Sequence, residues 1–225
     1  MNFTEIDSCF GSDKRDIGYE KLKSAYEKGD HSPEVLWRLA QFCHEKSTIS
    51  PKAKRIAYIN EGIKYAEEGM KTDPTHFKSV KWCAVLTGQS AETLPTKQKI
   101  EMGNKFKSLL DKAITMQPND YVLLHLRARY KFTVASLTWL ERKFASTFYA
   151  TVPTHTFEEA LEDFLACYKI EPKWIENLYY IAKTYVGLKD KENARKYLKI
   201  ALEIQPQTDV EIDYIADCKA LSHKL

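Results

Sequence analysis

One spacing occurs four times along the chain and limits what it can fold into more than any other feature. Gly62-x3-Ala66-x2-Gly69-x4-Pro74, Phe106-x3-Leu110-x2-Ala113-x4-Pro118, Ala160-x3-Phe164-x2-Cys167-x4-Pro172 and Ala194-x3-Leu198-x2-Ala201-x4-Pro206 all share it. On a helix, residues four and three apart lie on one face, so each quartet is an apolar stripe. Small side chains within it let a neighbouring helix come close. The proline falls just past the helix end, where it stops one helix and helps to start the next.

A second helix begins after each of the first three prolines. Counted from the residue three past the proline, Val80, Cys83 and Ala84 take positions 4, 7 and 8 of one repeat. Leu124 and Ala128 take positions 4 and 8 of the next, with Arg127 at position 7. Leu178, Ile181, Ala182 and Tyr185 complete the last. An earlier helix fits the same template through Leu36, Leu39, Ala40 and Cys43, with Ser32 as N-cap and Pro33 at N1. This is the tetratricopeptide pattern of paired antiparallel helices. From repeat start to closing proline the spans are 42, 42, 52 and 32 residues. The first three therefore carry added helix, and the third has room for an extra one near Leu137 to Tyr149.

The expected fold is all-α: a tetratricopeptide-like solenoid of helical hairpins with extended helices and a C-terminal capping helix over Val210 to Ser222. Tyr19 to Lys28 reads as a leading helix. Residues 1–18 read as a poorly ordered segment and 19–225 as a single domain.

Low Gly and Pro counts, 8 each in 225 residues, agree with long helices. Five widely spaced cysteines without a C-x-x-C fit packed thiols in a reduced compartment rather than disulfides or zinc. No signal peptide or membrane span is read, so a cytoplasmic protein is expected. Neither a phosphate-binding glycine loop nor a hydrolase or zinc-protease motif occurs. The expectation is therefore a non-enzyme without cofactor or metal.

The net charge of +3 hides an uneven distribution: residues 1–80 are neutral, 81–149 carry +6 and 150–225 carry −3. Lys97, Lys99, Lys105, Lys107, Arg142 and Lys143 contribute to the basic middle. Such a middle steers acidic partners. In arrays of this kind the first helices of the repeats line a groove, mostly through positions 2, 5 and 9. Position 5 is Trp37, Lys81, His125 and Tyr179; position 9 is Gln41, Val85, Arg129 and Lys183; position 2 adds Lys78. The expected groove is basic and aromatic, suited to carboxylates and to flat apolar contacts. Nucleic acid is a weaker expectation, because most aromatic residues among the basic ones sit at core positions.

Several local sequences resemble the regulator of microtubule dynamics family. They are Glu34-Val35-Leu36-Trp37-Arg38-Leu39-Ala40 followed by Lys81-Trp82, Trp139-Leu140-Glu141-Arg142-Lys143, Phe148-Tyr149-Ala150-Thr151-Val152-Pro153, Phe157-Glu158-Glu159-Ala160-Leu161, and Lys183-Thr184-Tyr185. The likeness covers about residues 20–220. It implies a protein of microtubules, spindle and spindle poles that supports chromosome segregation. Tubulin is the implied partner, its acidic tails suit the basic middle, and other spindle proteins are further candidates. Some relatives carry an N-terminal anchor or associate with mitochondria; no anchor is read here, and mitochondrial association stays open. The alternative is an adaptor or co-chaperone-like module that recognises an acidic segment of another protein.

Overall fold

The computed structural model describes residues 2–147 and 153–225, apart from the side chains of Lys52, Thr96, Lys97, Ile100 and Glu101. Twelve helices and no strand are present among the described residues. They divide into two compact units, residues 1–116 and 117–225, where the sequence pattern reads one domain over 19–225.

The first unit holds α1 (Phe3–Asp7), α2 (Arg15–Glu27), α3 (Pro33–Thr48), α4 (Lys52–Thr72), α5 (Phe77–Glu92) and α6 (Thr96–Met116). α3 pairs with α4 and α5 with α6, and α4 also packs on α5. The repeat stripe explains the closeness. A Cβ placed at Gly62 would stand 2.8 Å from both Cys43 Cβ and Leu86 Cδ1, and one at Gly69 would stand 2.6 Å from Ser79 Oγ. Glycine at those points is what lets α4 lie between α3 and α5.

Of the segment 1–18 that the sequence reads as poorly ordered, the described residues 2–18 are folded against the first unit. Phe3–Asp7 is helical, and Ile6 and Cys9 are buried. Phe10 packs on Phe42 with ring centroids 4.3 Å apart, which gives the segment apolar anchors that no repeat template signals. Ser32 stands at the N-cap of α3 but does not cap it through its side chain; its hydroxyl donates to Asp30 Oδ1 at 2.7 Å instead.

The second unit holds α7 (Tyr121–Ala135), α8 (Trp139–Ala145), α9 (Phe157–Ile170), α10 (Ile175–Gly187), α11 (Lys191–Leu202) and α12 (Asp209–Ser222). α7 pairs with α9, α10 with α11, and α12 lies against both α10 and α11. Ala160, Phe164, Cys167, Leu178, Ile181, Ala182, Ala194, Leu198 and Ala201 are all fully buried or nearly so, as the stripes require. Thr138, Thr156 and Thr208 each open a helix with a reciprocal capping box, to Glu141, Glu159 and Glu211.

The inserted helix expected near Leu137 to Tyr149 is α8, and its expected end at Tyr149 lies outside the described residues. Arg127, at a repeat position that is otherwise apolar, is matched by Asp163 of α9. Its Nε and Nη2 donate to the two carboxylate oxygens at 2.8 and 2.6 Å, and Lys131 adds a third contact at 2.8 Å.

Candidate partner-binding site

In the second unit, α7, α10 and α12 bring polar side chains together around one carboxylate. Glu176, at position 2 of α10, receives Arg129 Nη1 at 2.6 Å and Tyr214 OH at 2.9 Å on the same oxygen. His125 Nε2 stands 3.3 Å from that oxygen, without the alignment of a hydrogen bond. Burial alone would push the Glu176 carboxyl up. The Arg129 guanidinium, with His125 and Tyr214, overrides burial and holds it at about 2.

Register has His125 facing a partner, and the structure corrects this. His125 is 1% exposed, with Nδ1 2.8 Å from Asn177 Oδ1 and its ring 4.2 Å from that of Trp174. Asn177 Nδ2 donates to the Phe164 carbonyl, so its Oδ1 is the acceptor and His125 Nδ1 the donor. This is an internal polar link between α7, α9 and α10. The place that position 5 leaves for a partner's side chain is filled here from within.

Lys183 is different. Its ammonium lies 5.2–5.3 Å from the ring centroids of Phe132, Tyr179 and Tyr180, and no carboxylate among the described residues is within ion-pair distance. Arg129 stacks on the same Tyr180, 4.5 Å from its centroid. Half-burial of the Lys183 amine pushes its pKa down, the neighbouring Arg129 adds to that, and Asp217 partly offsets it. Ring faces attract a cation by about 0.5–2 kcal/mol, less than a charge-assisted hydrogen bond to a carboxylate provides. Lys183 is thus a cation placed where an incoming anion has something to gain.

In the first unit, α3 and α5 present Trp37, Lys78 and Lys81. Trp37 is 7% exposed, donates Nε1 to Glu34 Oε2 at 2.9 Å, and has the Lys78 ammonium 5.5 Å from its ring. Lys81 is itself 7% exposed, with its ammonium 6.0 Å from the Trp82 ring. Trp37 and Lys81 are therefore largely buried, against the expectation that both line an open groove.

The basic middle is split by the boundary between units. Counted per unit, the first carries +3 and the second is neutral. On α6, Lys105 pairs with Glu67 and Lys107 with Asp111, while Lys99 is exposed. The side chain of Lys97 lies outside the described residues. Arg142 is turned inward, donating to the carbonyls of Pro153 and Val134 at 3.0 and 3.1 Å, and so ties α8 to the chain on either side of it. Lys143 is exposed and lies over the Trp139 ring at 5.3 Å.

The acids that pair with these cations, one in each unit, escaped the sequence reading. Glu34 and Glu176 both occupy position 2, the same register that yields Lys78. Reading position 2 in every repeat, not only in the second, would have found them.

A family model described as regulator of microtubule dynamics protein 1-3 matches residues 2–225. The chain belongs to the regulator of microtubule dynamics family. Regulator of microtubule dynamics protein 1 of Caenorhabditis elegans is 40% identical over 223 residues, covering 99% of each chain. Regulator of microtubule dynamics protein 2 of Rattus norvegicus is 32% identical over 205 residues, 90% of this chain and 50% of the relative. The human protein 2 is 34% identical over 188 residues, 82% of this chain and 45% of the relative. The chain therefore spans nearly all of the nematode relative and about half of these mammalian ones.

Among solved structures, TTC0263, a thermophilic tetratricopeptide protein of Thermus thermophilus, superposes with a TM-score of 0.62. It is 14% identical, with 99% of this chain and 97% of that one covered. A MamA structure gives 0.51 at 15% identity, covering 94% and 90%. At such identities these likenesses establish the tetratricopeptide-like fold of this family member and nothing about its partners.

Proposed function

We propose that this chain is a non-enzymatic, microtubule-associated regulator that recognises the acidic tails of tubulin. Its family membership supports the microtubule role. The observation that carries the contact is the Lys183 ammonium, held among Phe132, Tyr179 and Tyr180 beside Arg129 with no carboxylate of the described residues in reach. A glutamate side chain arriving there exchanges ring faces for a charge-assisted hydrogen bond, while Tyr179 supplies a flat contact for its methylenes. The second unit is neutral overall, so this recognition is short-range. Long-range attraction comes from the first unit, whose charge is +3. Action at the spindle and its poles in support of chromosome segregation, from a cytoplasmic pool, belongs to the same proposal.

The test is co-sedimentation of the purified chain with polymerised tubulin, intact or stripped of its tails by limited proteolysis. Pelleting should depend on the tails, and Lys183→Gln should weaken it about 10-fold or more, from a lost charge-assisted bond of about 1.5–3 kcal/mol. Equal pelleting by the unmodified and Lys183→Gln chains refutes the contact. Failure to pellet with purified microtubules at low salt refutes direct binding.

A further inference from the structure

Arg38 of α3 is a charged side chain only 6% exposed, and its hydrogen bonds are shared between Asp7 of the N-terminal segment and Glu34 of its own helix, whose carbonyl also accepts from Nη1 at 2.9 Å. Its Nε and Nη2 donate to the two oxygens of Asp7 at 2.6 and 2.9 Å, and its Nη1 to Glu34 Oε2 at 2.5 Å. Its guanidinium carbon is 4.1 Å from the Phe3 ring centroid and 4.2 Å from that of Trp37. Three residues beyond Asp7, Phe10 stacks on Trp37 at 6.0 Å and packs on Phe42 at 4.3 Å.

This segment is attached as a bound peptide is. The backbone hydrogen bonds of residues 2–10 run within the segment, from Ile6 to Asn2, Ser8 to Thr4, Cys9 to Ile6 and Phe10 to Asp7, or to Ser12 just beyond it, whose N–H donates to Cys9. Its links to the rest of the unit run through side chains: Asp7 and Phe3 on Arg38, Phe10 on Trp37 and Phe42, Glu5 on Lys21 at 2.6 Å, and the buried Ile6 and Cys9, the latter against Gly18 of α2. Gly11 follows at φ +65°, with open space around it, and its N–H donates to Glu45 Oε2 at 2.9 Å. Glycine takes this left-handed backbone without strain, so the turn that carries the segment needs no other residue to hold it.

We propose that the Trp37–Arg38 face of α3 is a recognition surface for acidic-aromatic peptide segments, and that residues 3–10 are its resident occupant. The chemistry of the occupant defines the partner: an aromatic ring, a carboxylate four residues later, and a second aromatic ring three residues after that. A planar guanidinium between flanking rings takes a carboxylate in bidentate fashion and rejects its amide isostere. Another protein's segment with that spacing takes the seat when residues 3–10 leave it. The proposal concerns the first unit alone and does not depend on the Lys183 contact of the second.

The experiment uses the full chain with the occupant's anchors removed, Phe3→Ala, Asp7→Asn and Phe10→Ala together. A fluorescent peptide of residues 2–12 is titrated against it by anisotropy. The variant should keep its helical circular dichroism and bind the peptide at least 10-fold more tightly than the unmodified chain. Adding Arg38→Gln, or placing Asp7→Asn in the peptide, should weaken binding at least 10-fold. A folded variant that does not bind the peptide overturns the proposal. Collapse of the variant's helical signal also overturns it, because a removable occupant leaves its seat folded. Hydrogen exchange on the unmodified chain gives a second reading. Amides of Ser8, Cys9 and Phe10 should exchange at least 100-fold faster than those in the middle of α3, and exchange as slow as α3 would make the segment part of the core.

Discussion

Glu176→Gln is the substitution with the most definite consequences, because it removes a charge and keeps a shape. The carboxyl is held at about 2 against an ordinary value near 4.5. The depressed value means that the folded state binds its proton less tightly than the unfolded chain does. Its stabilisation is therefore complete above the unfolded value and is lost as pH falls through the folded one. That depression corresponds to about 3 kcal/mol at pH 7, falling to about 1 kcal/mol at pH 3 and fading out below about pH 2. Glutamine cannot supply the charge, so Glu176→Gln should lose most of that stabilisation at neutral pH. Arg129, only 20% exposed in its side chain, would lose its bond to this carboxylate, which adds to the cost. Urea unfolding followed by circular dichroism measures the difference, and hydrogen exchange of α10 amides assigns it to the second unit. The gap between the two proteins should narrow steadily from about pH 5 to about pH 2. A gap that stays constant across that range, or no gap at neutral pH, would refute the assignment of the energy to this carboxylate.

Two further outcomes follow from packing. Gly62→Val should destabilise the first unit by about 1–3 kcal/mol and lower its melting temperature by several degrees, because its new Cβ already meets Cys43 and Leu86 at 2.8 Å. Differential scanning calorimetry checks it, and an unchanged transition would show that α4 can move away from α3 and α5. Burial pushes the thiols of Cys83 to about 11 and of Cys167 and Cys218 to about 12. In mildly alkaline buffer all three should resist iodoacetamide in the folded chain and react in urea, as mass spectrometry would show.

Periodicity made the architecture readable. The 4, 3, 5 spacing located the second helix of each repeat, and Ala160, Phe164 and Cys167 are all fully buried, as one stripe demands. Even the lapse at Arg127 followed a rule, since Asp163 answers it from the facing helix. What the pattern could not give was the partner of each polar group. Register puts His125 and Tyr179 on equivalent positions, yet one is sealed under Trp174 while the other shares a half-buried cage with Lys183. Which of two equivalent positions stays open depends on the bulk of residues distant in sequence. The N-terminal segment was illegible for the same reason: Phe3, Ile6, Asp7 and Phe10 match no helical repeat, and their meaning lies in side chains of α3.

Position 2 explains why a count of lysines and arginines overstated the cationic surface. An acid there, one turn before a cation at position 6 or beside one on the neighbouring helix, neutralises the charge locally: Glu34 with Arg38, Glu176 with Arg129. Where such an acid alone faces the cation across the helices, as Glu176 faces Arg129, an arriving carboxylate would have to displace a partner already aligned; Arg38 differs in that its second carboxylate, Asp7, is carried on the N-terminal segment. Where the acid is absent, as around Lys183, the same kind of side chain is left with ring faces. On the proposals above, recognition rests on cations that lack an internal carboxylate, or one of whose carboxylates is carried on the N-terminal segment. In the first unit one such cation is Arg38, to which Asp7 of the N-terminal segment adds a second carboxylate beside Glu34, and in the second unit one is Lys183. A count of basic residues cannot separate these two from Arg129 or Lys105; the identity and attachment of each partner can.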